Sequence, residues 1–245
     1  HLCTSVETLP EIKEYERFCT TSVNAYLMPR VKDYLMHLDE KRKEIGVPAS
    51  VHIMQSNGGV MSSVAAGERS VHTVFSGPAG GVLAATYMAR LLKEENVVTI
   101  DIGGTSSDLA LLHDYEVAFT TSGELGGFPV QVPMVEMHTI GAGGGSIAWV
   151  DVGGGVHVGP QSAGAFPGSL HAAALMEELN MKSVIVPVSP GNFSAIGCQL
   201  AKVRYDYVRT NIKLVEQMSV EEFNAIFADL KAQAIRDMAA EGYSE

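Results

Sequence analysis

Over residues 11–45, Ile12, Tyr15, Phe18, Cys19, Val23, Tyr26, Leu27, Val31, Tyr34, Leu35 and Leu38 recur at three- and four-residue steps, the period of a helix that buries a stripe. Pro29 falls inside this run, so the pattern predicts two helices or one kinked helix. Gly46-Val-Pro48 stops it, and residues 51–55 form a short apolar strand running into the turn Ser56-Asn57-Gly58-Gly59. After the small-residue run Ser76-Gly77-Pro-Ala-Gly-Gly81 the pattern predicts a helix through Leu92. Residues 97–101 and 109–112 then flank a glycine turn as a hairpin, with a third strand over 115–120. Between 141 and 168 lie ten of the 25 glycines, which marks turns and close backbone approach rather than element interiors. Beyond them the pattern predicts a helix over 171–179, a buried strand over 183–187 and a further apolar element over 193–200. Ser219-Val-Glu-Glu222 reads as a capping box opening a last amphipathic helix, with Phe223, Ile226, Phe227, Leu230 and Ile235 on one face. The alternation of helix and strand predicts an α/β fold.

Composition narrows the function classes. The chain has 245 residues and 18% charged residues, and 28 acids against 17 bases leave a net charge of −11. Nucleic acid and anionic membrane surfaces are therefore poor partners. Cys3, Cys19 and Cys198 sit in no metal or redox spacing, which predicts a reducing compartment. No signal-peptide pattern opens the chain, and the uncharged stretch 70–89 contains Pro78 and three glycines, so a soluble, cytoplasmic protein without a membrane span is expected. The sequence begins at His1 and ends within a helical pattern, which leads to the expectation that it is a piece of something longer.

The segment richest in chemistry is Asp101-Ile-Gly103-Gly104-Thr105-Ser106-Ser-Asp108, with an acid ending one strand, a turn of glycines and hydroxyls, and a second acid entering the return strand. Gly103 and Gly104 let backbone N–H groups approach phosphate oxygens, Thr105 and Ser106 add hydroxyl donors, and Asp101 can hold magnesium through water. The competing reading is an ordinary glycine-turned hairpin. A second glycine run, His138-Thr-Ile-Gly-Ala-Gly143-Gly144-Gly145-Ser146, matches G-x-G-x-x-A through Ala148. It lacks the acid expected about 20 residues later in a dinucleotide site. There is no P-loop and no G-x-S-x-G elbow. Glu136 and His138, two apart, can share one face of a strand and hold a metal or a water, although such a pair is more often a hydrogen-bonded couple. The Asn57-Gly58 and Ser76-Gly77 segments have the make-up of ligand-touching loops and equally of plain turns.

These motifs, together with Thr20-Thr-Ser-Val-Asn-Ala25, Met54-Gln-Ser-Asn-Gly-Gly59, Gly159-Pro-Gln-Ser-Ala-Gly164 and Ser189-Pro-Gly-Asn-Phe-Ser-Ala-Ile-Gly197, resemble the hydantoinase A/5-oxoprolinase family, which also includes subunits of ATP-dependent ketone carboxylases. The resemblance implies an actin-like, sugar-kinase-like ATPase fold whose two halves close over a nucleotide. Residues 1–210 would form the nucleotide-binding core, and 211–245 would begin a C-terminal helical region. The first half, which carries its own phosphate hairpin in the family, has no counterpart here. At Gly168-Ser169 two motifs that the family separates by a long segment stand side by side.

In function the resemblance implies an ATP- and Mg2+-dependent hydrolase of cyclic amides of hydantoin or 5-oxoproline type. The missing N-terminal half, a hydantoinase B-like second subunit and further copies of the chain would be partners, and the isolated piece would be inactive. Asp101 would orient magnesium, Gly103 to Ser106 would hold phosphate, Asp108 would support the hairpin, and Gly143 to Ser146 would approach nucleotide or substrate. Glu136 and His138 would activate substrate. A ketone carboxylase subunit and a non-catalytic scaffold are the alternatives.

Overall fold

The computed structural model describes residues 2–162, 177–178 and 180–243. In chain order its helices are α1 (Ser5–Thr8), α2 (Glu14–Glu44), α3 (Ser63–Glu68), α4 (Ser76–Leu92), α5 (Phe193–Leu200) and α6 (Val220–Ala240). Its strands are β1 (His52–Met54), β2 (Val60–Ser62), β3 (Val97–Ile102), β4 (Ser107–His113), β5 (Glu116–Val117), β6 (Phe119–Thr120), β7 (Gly123–Leu125), β8 (Phe128–Val130), β9 (Met134–Val135), β10 (His138–Ile140), β11 (Ser146–Val150) and β12 (Val156–Ser162). The chain divides into two compact units, one of His1–Ser76, Thr120–Met134 and Lys202–Glu245, the other of Gly77–Phe119 and Val135–Ala201.

In the first unit α2 runs continuously through Pro29. A proline removes one helical hydrogen bond and crowds the preceding turn, and here tertiary anchors on both sides offset that loss. Before Pro29, buried Asn24 donates from Nδ2 to the Glu68 carbonyl at 3.0 Å and accepts from the Val71 amide at 3.0 Å. Thr20 accepts the Gln131 amide at 3.0 Å. After Pro29, Leu35 packs with Met61, Ala65 and Ala66, with Val31, Leu38 and Tyr205 against them. A second apolar cluster joins Val71, Val130, Val132 and Met134. The segment after Lys202 lies along β2, where the Val60 amide donates to the Lys202 carbonyl at 2.9 Å and the Arg204 amide to the Val60 carbonyl at 3.2 Å. The predicted capping box is present: Ser219 Oγ accepts the Glu222 amide at 3.1 Å and the Glu222 carboxylate accepts the Ser219 amide at 3.2 Å. The Tyr207 hydroxyl ties α6 back through Asp237 at 3.0 Å.

In the second unit the sheet order is β10-β4-β3, all antiparallel, with β5 also on β4. β11 and β12 form a separate hairpin. Its turn is closed by Asp151 Oδ1, which accepts the Gly153 and Gly155 amides, while Oδ2 meets His157 Nε2 at 2.6 Å. The glycines at 153–155 therefore supply a self-capped turn.

The sequence reading needs four corrections here. The run Ser76 to Gly81 is the opening of α4 itself, not a loop before it, and Gly80 within it serves helix packing. A methyl group on Gly80 would lie 2.8 Å from the Ser194 carbonyl, and one on Gly197 would overlap the Gly80 carbonyl, so α4 and α5 meet backbone to backbone. The buried strand expected over 183–187 is absent, and Val184, Ile185 and Val186 are exposed. A short apolar run becomes a strand only where a neighbour offers a ladder, and among the described residues β3 pairs with β4 alone. The single strand expected over 115–120 is broken into β5 and β6. The apolar face expected on α6 is exposed at Phe223, Phe227 and Ile235, and α6 has no buried residue. Most of the helix expected over 171–179, the junction at 168/169 and the end of the Gly159 to Gly164 motif lie outside the described residues.

Candidate functional site

The β3–β4 hairpin sets Asp101 directly opposite Asp108 and Ile102 opposite Ser107, so the two carboxylates share one face of the sheet at the mouth of the turn. Gly103 donates its amide to the Ser106 carbonyl at 2.9 Å, closing a tight turn over Gly104 and Thr105. β10 pairs with the other edge of β4 and delivers the second glycine loop to this turn. There the Gly144 amide donates to the Gly103 carbonyl at 2.9 Å and the Gly145 amide to the Gly104 carbonyl at 3.0 Å. The Ser107 hydroxyl donates to the Ala142 carbonyl at 2.7 Å. Ser146 folds the loop back on itself, its amide donating to the Gly143 carbonyl at 3.0 Å and its Oγ accepting the Gly143 amide at 2.7 Å.

Glycine at 143 follows from this apposition. A methyl group there would lie 2.5 Å from the Gly103 carbonyl oxygen and 2.8 Å from the Ser106 nitrogen, distances that only backbone displacement relieves. Eight of the residues singled out in the sequence, Gly103 to Ser106 and Gly143 to Ser146, are thus brought into one structure of two stacked loops.

The two acids differ in their surroundings. Asp108 Oδ1 accepts the Thr139 hydroxyl at 2.6 Å from the neighbouring β10. Partial burial of the Asp101 carboxyl, and secondly the charge of Asp108 across the ladder, raise the Asp101 pKa above its ordinary value. Such a carboxylate gains from an arriving cation, which cancels the repulsion that ionisation creates. Among the described residues no three His, Cys, Asp or Glu side chains cluster as a protein-only metal cage. A carboxylate beside a glycine turn is of the kind Mg2+ takes, since that ion keeps most of its waters and binds through one or two carboxylates plus substrate phosphates.

Other expected site residues are placed differently. Glu136 precedes β10, is exposed, and donates its amide to the Ala118 carbonyl at 2.8 Å. His138 pairs with Leu109 and so lies on the face opposite the Asp108–Thr139 pair. The shared strand face expected for Glu136 and His138 is not formed, since the strand begins only at His138. Ser76 and Gly77 open α4. Asn57 and Gly58 belong to the first unit, where Asn57 is 2% exposed. Its Nδ2 donates to Asp206 Oδ2 at 2.6 Å and its Oδ1 accepts the Gly59 amide at 2.8 Å. Thr139 and Ser107, which fix the acid and the glycine loop, escaped the sequence reading. Their signal was position alone, each standing next to a motif residue.

The family profile described as hydantoinase/oxoprolinase matches residues 17–170 and 167–207. The caprolactamase alpha subunit of Pseudomonas jessenii is 41% identical over 68% of this chain and 24% of its own length. The acetone carboxylase beta subunit of Xanthobacter autotrophicus is 29% identical over 98% of this chain and 35% of its own length. The crystal structure of the ATP-dependent caprolactamase from Pseudomonas jessenii superposes with a TM-score of 0.59 at 33% identity, covering 91% of this chain and 30% of that one. This chain therefore spans about a quarter to a third of the length of these relatives, which are themselves named as subunits. No helix among the described residues is long and apolar enough to cross a membrane. With its mixed helix and sheet architecture and a profile match across most of its length, the chain belongs to the hydantoinase/oxoprolinase family.

Proposed function

We propose that this chain provides a phosphate-binding part of an enzyme that opens cyclic amides at the expense of ATP. The observation that carries the reading is the stack of the 103–106 turn on the 143–146 loop beside Asp101. ATP with Mg2+ would supply a phosphoryl group to the amide oxygen, making the ring carbon open to attack by water; the ring C–N bond would then break with a proton passing to nitrogen, and a second water would release the phosphate. The chain's own contributions are positional. Gly103 and Gly104 keep the turn free of side-chain bulk where a phosphate would approach, Thr105 and Ser106 offer hydroxyls, and the Gly143 to Ser146 loop fixes the shape of the turn from behind. Asp101 faces the cation, and Asp108, held by Thr139, keeps the hairpin in register.

In this reading the fold is actin-like, with the β3–β4 hairpin as the phosphate loop of one half of the nucleotide cleft. Further chain or a second subunit completes the active site, as the subunit names of the relatives suggest for them. The profile match in two pieces meeting at 167–170 supports reading the 168/169 junction as the place where relatives carry an additional stretch. His138 and Glu136 stand outside the Asp101 face.

The second reading is a subunit of a carboxylase acting on ketones. The acetone carboxylase relative, which matches 98% of this chain, favours it. The experiment is turnover of ATP by the full-length protein with its partner subunits, offered a lactam, hydantoin or 5-oxoproline in one series and ketone plus bicarbonate in the other. Ring-dependent ATP turnover that disappears in Asp101→Ala supports the proposal. Ketone-dependent turnover supports the second reading, and turnover unaffected by Asp101→Ala overturns the site.

A further inference from the structure

The Asp101 carboxylate does not face open solvent alone. On α4, whose Gly80 and Gly81 lie against Ser194 in α5, a methyl group added to Gly81 would sit 3.2 Å from Ser194 Oγ and 3.8 Å from Asp101 Oδ2. The two oxygens therefore flank one small notch whose floor is the Gly81 backbone, and they are separated by no more than the two distances combined. Gly81, Asp101 and Ser194 all belong to the second unit, and Gly81 and Ser194 are partly accessible. The neighbouring glycines have a different use, because Gly80 and Gly197 are required by backbone contact between the helices. Around Gly81 the near neighbours are oxygens of two side chains, so helix packing alone does not account for its lack of a β-carbon.

We infer that Ser194 is a positioning residue of the phosphate site, its hydroxyl and the Asp101 carboxylate acting together across the Gly81 notch on one water of a hydrated divalent cation. A neutral hydroxyl can accept from such a water while the anionic carboxylate takes its other hydrogen, which orders the cation's shell without adding charge. This assignment rests on the phosphate-site reading of the hairpin.

The test is thermal unfolding of the full-length protein with a non-hydrolysable ATP analogue while Mg2+ is titrated, for wild type, Ser194→Ala, Ser194→Thr and Gly81→Ala. The expected result is that Ser194→Ala raises the Mg2+ concentration for half-maximal stabilisation by about tenfold, the scale of one hydrogen bond to a charged group. Its unliganded midpoint should stay close to wild type, and Ser194→Thr should restore the Mg2+ dependence. Gly81→Ala, which fills the notch and leaves both oxygens in place, should show the same Mg2+ defect. Variants that unfold at a lower temperature but need the same Mg2+ concentration would reduce Ser194 to a helix-packing residue and overturn the inference. Absence of any nucleotide-dependent shift in wild type would instead bring down the phosphate-site reading, and this assignment with it.

Discussion

Two glycine turns of nearly the same composition do opposite work in this molecule. At Ser56 to Gly59 every polar side chain is engaged: Asn57 bridges Asp206 and the Gly59 amide, and Ser56 Oγ donates to the His72 carbonyl at 2.7 Å and accepts the Phe75 amide at 3.2 Å. Gln55 Nε2 adds a bond to the Arg204 carbonyl at 2.6 Å. That turn is a latch, closing the first unit over the segment that follows Lys202. At Asp101 to Ser106 the glycines are braced from behind by a second loop, and the acid at the mouth sits where its charge is unfavourable. A list of small residues does not separate the two cases. The side chains do separate them: those of Asn57 and Ser56 are spent on partners within their own unit, whereas the Asp101 carboxyl stands against the charge of Asp108 across the ladder.

The comparison can be broken most forcefully at Asp101. Asp101→Asn should lower ATP turnover of the full-length enzyme at least about a hundredfold, about 3 kcal/mol in the barrier. Its thermal midpoint at neutral pH should stay level or rise. The sign follows from the raised pKa: the folded state holds that proton more tightly than the unfolded chain, so ionised Asp101 opposes folding above this range and its removal relieves the strain. A fall in midpoint together with retained turnover would make this turn a second latch.

Next in size is the acid limb of stability. Burial, and then the charge of Arg69, lower the His72 pKa from 6.5 to about 4. The unfolded chain therefore takes up a proton that the folded one refuses, and stability declines as pH falls from about 6.5 towards 4, by at most about 3 kcal/mol. Urea unfolding of His72→Gln across that range should lack this limb, and an unchanged slope would show that the His72 imidazole does not carry it. Asn57→Ala should cost about 2 kcal/mol by leaving Asp206 and the Gly59 amide short of partners. The same denaturation curves measure it, and the apparent affinity for ATP should be unchanged. The smallest effect belongs to a site outside both turns: Ser219→Ala should cost about 1 kcal/mol, seen as earlier fraying of α6 in hydrogen exchange.

The sequence was most legible where local chemistry decides structure. The β3–β4 hairpin and the α6 capping box need only neighbours along the chain to be foreseen. The continuity of α2 was not legible, since Asn24, Thr20 and Leu35 override Pro29 through partners 44 to 111 residues away or in other elements. The exposed segment 183–187 failed in the opposite way, because its apolar run carries no information about whether a partner strand is available. At the site, glycines and acids announced themselves by type. Thr139 and Ser107 did not, nor does the Ser194 proposed above, because an ordinary hydroxyl gains its meaning only from what the fold sets beside it.

The meeting of α4 and α5 offers one more use. With the Gly80 carbonyl lying where a Gly197 β-carbon would be, one α-hydrogen of Gly197 points at that oxygen, a C–H···O contact with no side chain between the helices. Such a proton is deshielded, and its resonance moves with small changes in the separation of the two backbones. Glycine-selective labelling would thus give a native spectroscopic gauge of whether nucleotide draws α4 and α5 together, read at a position that no dye or engineered probe needs to touch.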